Sequence, residues 1–515
     1  MDNYIKEEAG GVRVQAPMSD RSATAELASE FSLPDYQPEI KRLLRLRAIL
    51  HPADQYVGGG SVELSGLVDY CILYSGNDGA LYCVTQTEEY QISVPMDAAP
   101  EFSLSDGVLC DAEVTPELVT GRVGAPRRIS VKCRIKARAR VYGNRILDNP
   151  VRAFSGEPIE SLCGSADCAQ IFLGMGEPLQ LADEITCDTK GTDLRVICAE
   201  GQVLVSEATA GSGTVGCRGE VCIKLLCCTD AEGATPTPQW RRIPFTQIVP
   251  VDGVEVNCDC SADGVCTDLE ITVEEGRILC ETTLRLRARA QRNETVSFVR
   301  DAYSTAHEWE SQDQVYTFPR ALRCVNGNFS LNSSLSLEEA GIRKEQSVLD
   351  VTLFPTVTSI GEERGRLCLL GRCRCHVILL GEEDVGAQEF ELPFRYEMEG
   401  TAEQAPTDWD ARVQPLTCRA RVDGGAIHVD AELAVSAAVR GESSFRALCD
   451  ARLGDEVLQS GSAYTVCYPS SEDTLWSVAK RYYRSISGIS QVNALSGASA
   501  ADASDSLAGI TYLLV

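Results

Sequence analysis

Residues 129–141 alternate strictly between apolar and polar side chains. The apolar positions are Ile129, Val131, Cys133, Ile135, Ala137, Ala139 and Val141. Successive side chains of a β-strand point to opposite faces of its sheet. The alternation therefore predicts a long strand with one buried face.

The same alternation returns twice along the chain. It starts again at Ile278 and at Ile427, and each start lies 149 residues after the one before. Two equal spacings of this length predict three copies of one module. We expect Ile129, Ile278 and Ile427 to occupy equivalent positions in the three copies.

A second marker keeps the same order in each copy. An apolar strand opens with a glycine at Gly66, Gly219 and Gly371, and these positions lie 153 and 152 residues apart. Short strands with turn signals between them are typical of β-sandwiches. The chain is thus predicted to be mainly β, with three repeated β-sandwich-like modules.

These markers divide the chain into eight segments. They are a flexible N-terminal arm over 1–30 with a short helix around 24–30, a first module over 31–150, a connector over 151–173, a second module over 174–293, a connector over 294–323, a third module over 324–441, a linker over 442–462 and a small domain over 463–515.

The apolar spacing changes in this last segment. Leu475, Val478, Ala479 and Tyr482 recur with the period of an amphipathic helix. Residues 470–474 offer a cap for this helix. A second helix over 486–492 and strands over 464–468 and 512–515 complete a predicted βααβ domain, and we expect Trp476 to belong to its core.

The formal net charge of −28 argues against a nucleic-acid partner, because phosphate binding needs a cationic surface. One basic row does occur along the first long strand: Lys132, Arg134, Lys136, Arg138 and Arg140. We expect these side chains to pair with acidic residues of neighbouring strands. The first residues lack the apolar core of a signal peptide, and no run approaches the length of a membrane span, so we expect an intracellular protein.

The 23 cysteines suggest neither metal sites nor a disulfide framework. No Cys-x-x-Cys pair occurs, and many cysteines occupy the inward register of predicted strands, where a reduced thiol acts as a small apolar side chain. Cys133 and Cys280 are examples that we expect to be buried and reduced. Cys163 and Cys168 are the exception, since they lie in a loop-like stretch where a disulfide is possible.

No catalytic constellation is visible in the sequence. His51, His307, His376 and His428 fall in different modules or connectors, and no phosphate-binding glycine loop is present. We therefore expect no catalytic residue, no metal and no cofactor, and an unrecognised hydrolase is the least favoured interpretation.

The C-terminal segment resembles a LysM domain. The resemblance rests on Tyr464-Thr465-Val466, on residues 472–482 with Asp473-Thr474-Leu475-Trp476, on Asn493 and on residues 509–513. It implies a groove between two loops that binds N-acetylglucosamine glycans. The candidate partner- or glycan-binding residues are Ser471, Glu472, Asp473, Thr474, Leu475, Asn493, Ala494 and Leu495. Of these, we expect Ser471, Glu472, Asp473, Asn493 and Leu495 to be exposed. Glu472 stands where the family usually has glycine, and the loop from Asn493 to Gly509 is long, with residues 498–506 rich in Ala, Ser and Asp. Both departures favour a protein partner.

Nearly the whole chain resembles the SipL-like SPOCS-domain proteins, spore-coat morphogenesis factors of endospore-forming, mostly clostridial bacteria. The resemblance rests on residues 33–40, on the strand opened by Gly66, on Asp301-Ala302-Tyr303-Ser304 and on the terminal LysM-like segment. It implies a non-catalytic scaffold in the mother-cell cytoplasm at the forespore surface and in the spore coat. The implied partners are a stage IV sporulation protein A-like ATPase and other coat proteins. The alternative is a peptidoglycan-binding protein of the spore envelope.

Overall fold

A computed structural model describes residues 7–8, 11–97, 107–186, 194–229, 235–274, 277–381, 384–402, 404–458, 465–495, 507 and 509–515. The fold is mainly β, and its sheets are antiparallel. Short helices occur in the C-terminal domain, and a 3-10 turn spans Pro150–Phe154.

Two sheets share one apolar core in the first module. Its strands are β1 (Glu7–Glu8), β2 (Gly11–Ser32), β3 (Ile40–Leu50), β4 (Asp54–Val57), β5 (Ser61–Gly76), β6 (Leu81–Pro95), β7 (Leu109–Ala125) and β8 (Arg128–Asp148). One sheet has the order β1-β2-β8-β7, and in the other β5 lies between β6 and the pair β3 and β4. Ile129 and Val131 of β8 pack in the same core as Tyr70 and Ile72 of β5.

The second module has the same plan. Its strands are β9 (Ile159–Met175), β10 (Leu179–Thr186), β11 (Leu194–Ala210), β12 (Thr214–Thr229), β13 (Thr237–Pro250), β14 (Asp259–Glu274) and β15 (Arg277–Ser304). The long strand β15 pairs with β14 on one side and with β9 and β10 on the other, and β11-β12-β13 form the second sheet.

The third module repeats this arrangement with one unbroken first strand. Its strands are β16 (His307–Ser336), β17 (Ser347–Glu363), β18 (Arg366–Leu380), β19 (Val385–Glu397), β20 (Asp408–Asp423) and β21 (Ala426–Glu456). The sheets have the orders β16-β21-β20 and β17-β18-β19. The C-terminal domain follows with β22 (Val466–Cys467), α1 (Leu475–Arg481), α2 (Ile486–Val492) and β23 (Leu513–Leu514).

The three alternating stretches are topologically equivalent. Ile129, Ile278 and Ile427 are each the second residue of β8, β15 or β21, and each is fully buried. Each lies between two strands of its sheet: Ile129 between Phe31 and Val123, Ile278 between Ile185 and Val273, and Ile427 between Leu335 and Val422. The prediction of equivalent positions is confirmed.

The glycine markers face aromatic rings on the neighbouring strand. Gly66 is paired with Tyr90, Gly219 with Phe245 and Gly371 with Phe394. A Cβ at any of these glycines would lie within 3 Å of that ring. The glycine is needed in each copy because the ring lies over its backbone.

The prediction of a flexible N-terminal arm with a short helix is wrong for residues 11–30. These residues form β2, which pairs with β8 along nearly its whole length. The small and polar side chains of β2 hide its strand character, because most of its inward positions hold Ala or Ser rather than large apolar residues.

The expected connectors are also largely strand. β9, the end of β15, β16 and the end of β21 occupy much of 151–173, 294–323 and 442–462. These strands extend the first sheet of modules two and three beyond the sandwich core, as the pairing of Ser304 with Ile159 shows. The segment boundaries themselves stay predictions.

Equivalent residues of the three modules meet in one shared cluster. Leu44, Ile197 and Leu349 pack together, and they are 153 and 152 residues apart, like the glycine markers. Such a cluster requires the three modules to be arranged about a pseudo-threefold axis.

Buried ion pairs surround this apolar cluster. Arg45 of module one lies 2.6 Å from Glu200 of module two and 2.6 Å from Asp350 of module three, and Lys224 of module two also contacts Asp350. All four side chains are at least 90% buried. Each module thus supplies charged groups that pair with charged groups of both other modules.

A second buried network joins the larger sheets. Arg140 of module one contacts Asp408 and Asp410 of module three, and Arg289 of module two contacts Asp111 of module one. Arg412 of module three completes the set at 3.0 Å from Asp263 of module two. Every pair of modules is therefore joined by charge pairs as well as by apolar packing.

Candidate docking surface on the C-terminal domain

Helix α1 begins at a well-formed cap. The Thr474 hydroxyl accepts a hydrogen bond from the Ser477 N–H at 3.1 Å, and the Ser477 hydroxyl accepts one from the Thr474 N–H at 2.9 Å. This capping box satisfies two backbone groups that the first turn leaves unpaired. Thr474 is accordingly half-buried and structural.

Asp473 is buried rather than exposed as we expected. Its carboxylate accepts hydrogen bonds from the N–H and hydroxyl of Ser470 and from Arg481. The Ser470 N–H and the Arg481 guanidinium lower the pKa of Asp473 to about 2. Asp473 therefore stabilises the loop that enters α1, and within this loop Ser471 and Glu472 are the exposed candidates.

The loop after α2 is likewise built around a buried polar contact. Asn493 donates to the carbonyl groups of Ile489 and Leu514, and its own side-chain oxygen accepts from the Leu514 N–H. Ala494 follows with φ 52° and is exposed. Asn493 thus ties α2 to β23, and Ala494 is the candidate of this loop that faces solvent.

The two loops converge on one core. Leu475 is buried there, Leu495 packs against it, and the Leu507 N–H donates to the carbonyl of Asp473 at 3.0 Å. Tyr464 and the long loop expected over 498–506 lie outside the described residues. The structure therefore places Ser471, Glu472 and Ala494 on the accessible side, and Asp473, Thr474, Leu475 and Asn493 in supporting roles.

Strand β15 of module two holds the C-terminal domain. The Trp476 indole N–H donates to Asp301 at 2.8 Å, and the Lys480 ammonium donates to the same carboxylate at 2.6 Å. The Tyr303 hydroxyl donates to the Arg484 carbonyl at 2.8 Å, and its ring packs edge-on against Trp476 at 5.0 Å. Burial raises the pKa of Tyr303, so its hydroxyl stays a donor.

Trp476 is a core residue, as predicted, but it also contacts Asp301 and Tyr303 of module two. Sequence reasoning missed Asp301 and Tyr303 as the residues that hold the domain. A signal was present, because both lie in the tetrapeptide 301–304 that carries part of the resemblance to the SPOCS-domain proteins. The apolar periodicity, however, does not indicate which part of the chain this tetrapeptide contacts.

The other candidate groups are dispersed. His51 is 2.7 Å from Asp69, His307 is near Glu157, His376 is buried and His428 lies on β21. Within the described residues, no three His, Cys, Asp or Glu side chains are arranged to hold a metal ion. The histidines therefore form no shared site in this part of the chain.

The cysteine expectations have two outcomes. Cys133 and Cys280 are buried, as predicted. Cys163 and Cys168 lie on strand β9 rather than in a loop, where five residues span about 16 Å. A disulfide needs Cα atoms less than about 7 Å apart, so these two thiols cannot bridge in this fold.

No family model, no curated protein and no solved structure matches this chain. Among the described residues, no helix has the length and apolar character needed to span a bilayer.

Proposed function

We propose that this chain is a non-catalytic scaffold in endospore coat assembly, with its C-terminal domain as the protein-docking module. The proposed partner is a stage IV sporulation protein A-like ATPase at the forespore surface. The resemblance to SipL-like proteins suggests this role and this location.

One observation carries the docking part of the proposal. The C-terminal domain is fixed to module two through Asp301 and Tyr303, whereas Ser471, Glu472 and Ala494 remain exposed. A domain held in this way presents a preorganised surface, which lowers the entropic cost of binding. Glu472 adds a negative charge to that surface and favours a basic or polar protein patch.

The distribution of charge supports a scaffold over an enzyme. The buried charged groups at the module junctions are engaged with opposite charges from other modules, as Arg45 is with Glu200 and Asp350. Such pairs position the modules relative to one another, which is the task of a scaffold.

The test is capture of the purified full-length chain by the immobilised ATPase. Glu472→Lys should weaken capture at low salt and less so at high salt, because salt ions screen the interaction between charges on the two proteins. Glu338→Lys, at an exposed turn of module three, is the matched control and should change nothing. Capture unaffected by Glu472→Lys and by removal of residues 464–515 would contradict the docking role.

Glycan binding is the second candidate. It is favoured by the small side chains of Ser471 and Ala494, which leave the backbone of both loops accessible. Micromolar binding of chitin oligomers to the full-length chain, lost on replacing Ala494 with Trp, would support this alternative against a protein partner.

A further inference from the structure

The outer face of β2, β8 and β7 carries a surplus of positive charge. Lys132, Arg134 and Lys136 of β8 are exposed side by side, with Arg122 and Arg128 beside them. Within the basic row, Arg134 pairs with Glu26, Arg138 with Asp20 and Arg140 with Asp111, which confirms part of its expected pairing. Outside the row, Arg128 pairs with Glu30.

The two lysines of this row, unlike the arginines, have uncharged residues opposite them on both neighbouring strands. Lys132 lies between Ala28 and Thr120, and Lys136 lies between Thr24 and Thr115. No carboxylate within these three described strands stands directly opposite either ammonium group. We call the surface formed by Lys132, Arg134, Lys136, Arg122 and Arg128 the cationic face.

The same face of module two is acidic. Glu281 is 149 residues after Lys132 and occupies the equivalent position on β15. Its neighbour on β14 is Glu270, and both side chains are exposed. Like charges directly opposite each other destabilise a sheet, so this pair has a cost in the isolated chain.

Further carboxylates lie on this face of module two. Glu274 at the end of β14 is exposed but stands opposite Arg277, which pairs with Glu184 of β10. We call Glu270 and Glu281 the acidic face. Module three differs, because its equivalent residue Asp430 stands opposite Arg419 and is compensated within its own sheet.

We propose that the cationic face of one copy of this chain docks on the acidic face of a second copy. The two faces belong to equivalent sheets, so their charged rows share the spacing of about 4.8 Å between strands and about 7 Å between alternate residues. Opposite charges can therefore meet in register. Glu270 and Glu281 then gain cations, which the described neighbouring strands do not place opposite them.

The contact joins two different faces, so it is heterologous. A docked pair still offers one free cationic face at one end and one free acidic face at the other, and association continues into rings or open chains. Three strands and about eight residues cover only some 400 Å² per copy, which places the contact at the weak end of protein interfaces. The net charge of −28 makes the cationic face the place where another copy is attracted.

Sedimentation velocity of the purified full-length chain tests the proposal without any other component. We expect concentration-dependent association at about 0.1 M salt and monomers at about 1 M, where the Debye length falls to about 3 Å. Lys132→Gln with Lys136→Gln, and separately Glu270→Gln with Glu281→Gln, should each weaken association at least tenfold. Asp430→Asn is the matched control and should leave association unchanged.

Mixing the two double variants gives a sharper result. Each retains one intact face, so an equimolar mixture should form a 1:1 dimer that grows no further. A monomeric wild-type chain at every concentration would overturn the proposal, as would association that survives both double substitutions or about 1 M salt. Binding of the monomer to anionic vesicles through Lys132 and Lys136 would instead assign the cationic face to a membrane.

Discussion

Asp301 is the residue whose replacement should release the C-terminal domain. Its carboxylate accepts the Trp476 indole N–H at 2.8 Å and pairs with the half-exposed Lys480 ammonium. A hydrogen bond to a charged group contributes about 1.5–3 kcal/mol, and a partly exposed ion pair contributes up to about 1 kcal/mol. Asp301→Ala should therefore cost the docked state roughly 2–4 kcal/mol.

This cost corresponds to a roughly 30- to 700-fold larger undocked population, since about 1.4 kcal/mol is a factor of ten. Hydrogen exchange of the Trp476 indole N–H, followed by NMR, reports that population directly, because the indole is shielded only while it is docked. Tyr303→Phe removes one neutral hydrogen bond and should cost about 1 kcal/mol.

The matched control is Asp313→Ala, which removes an exposed ion pair with Arg446. Its effect on indole exchange should be negligible. An unchanged exchange rate in Asp301→Ala, or an equal rise in both variants, would refute the docking scheme.

Three further predictions concern the module junctions and the repeat markers. Asp350→Ala leaves Arg45 and Lys224 without their shared carboxylate, and it should lower the free energy of unfolding by roughly 3–5 kcal/mol in a urea titration. Its control is Glu26→Ala, which removes an exposed ion pair and should cost at most about 1 kcal/mol. Gly371→Ala places a methyl group against the ring of Phe394 and should cost about 1–3 kcal/mol by the same assay. Burial opposes ionisation of Glu200, but Arg45 and Arg47 outweigh it and lower the pKa from 4.5 to about 2. Its stabilisation is therefore complete above pH 4.5 and is lost as the pH falls toward 2, so Glu200→Gln should flatten the pH dependence of stability in that window, as measured by circular dichroism.

Periodicity predicted most of the sandwich cores. The alternation from Ile129 identified β8, and its spacing identified β15 and β21, because a large apolar residue at every second position can only serve one buried face. Helices α1 and α2 were likewise predicted to within a residue, since the apolar period and the Thr474 cap agree.

The strands that periodicity missed are those without a large apolar face. Strand β2 presents Ala23, Ala25 and Ser29 to the core, and these small side chains give little hydrophobic contrast. Its strand conformation comes from pairing with β8, which is a tertiary contact that local sequence does not encode.

The candidate loops show the same limit. Ser471 and Glu472 are exposed as expected, but Asp473 is buried because a carboxylate before a helix can accept backbone and side-chain hydrogen bonds. The junction networks were not predicted at all. Arg140 and Asp410 are 270 residues apart, and nothing in either neighbourhood indicates the other.

The charge pairs between every two modules have a consequence for how such a chain can evolve. An open solenoid gains or loses repeats easily, because each repeat contacts only its neighbours. Here module three returns to module one through Arg140 and Asp408, so the ring is complete. A fourth copy would have to separate this pair, and loss of module three would leave Lys224 of module two without Asp350. We therefore expect that adding or deleting a single module destabilises the ring, so that its charge pairs favour a copy number of three.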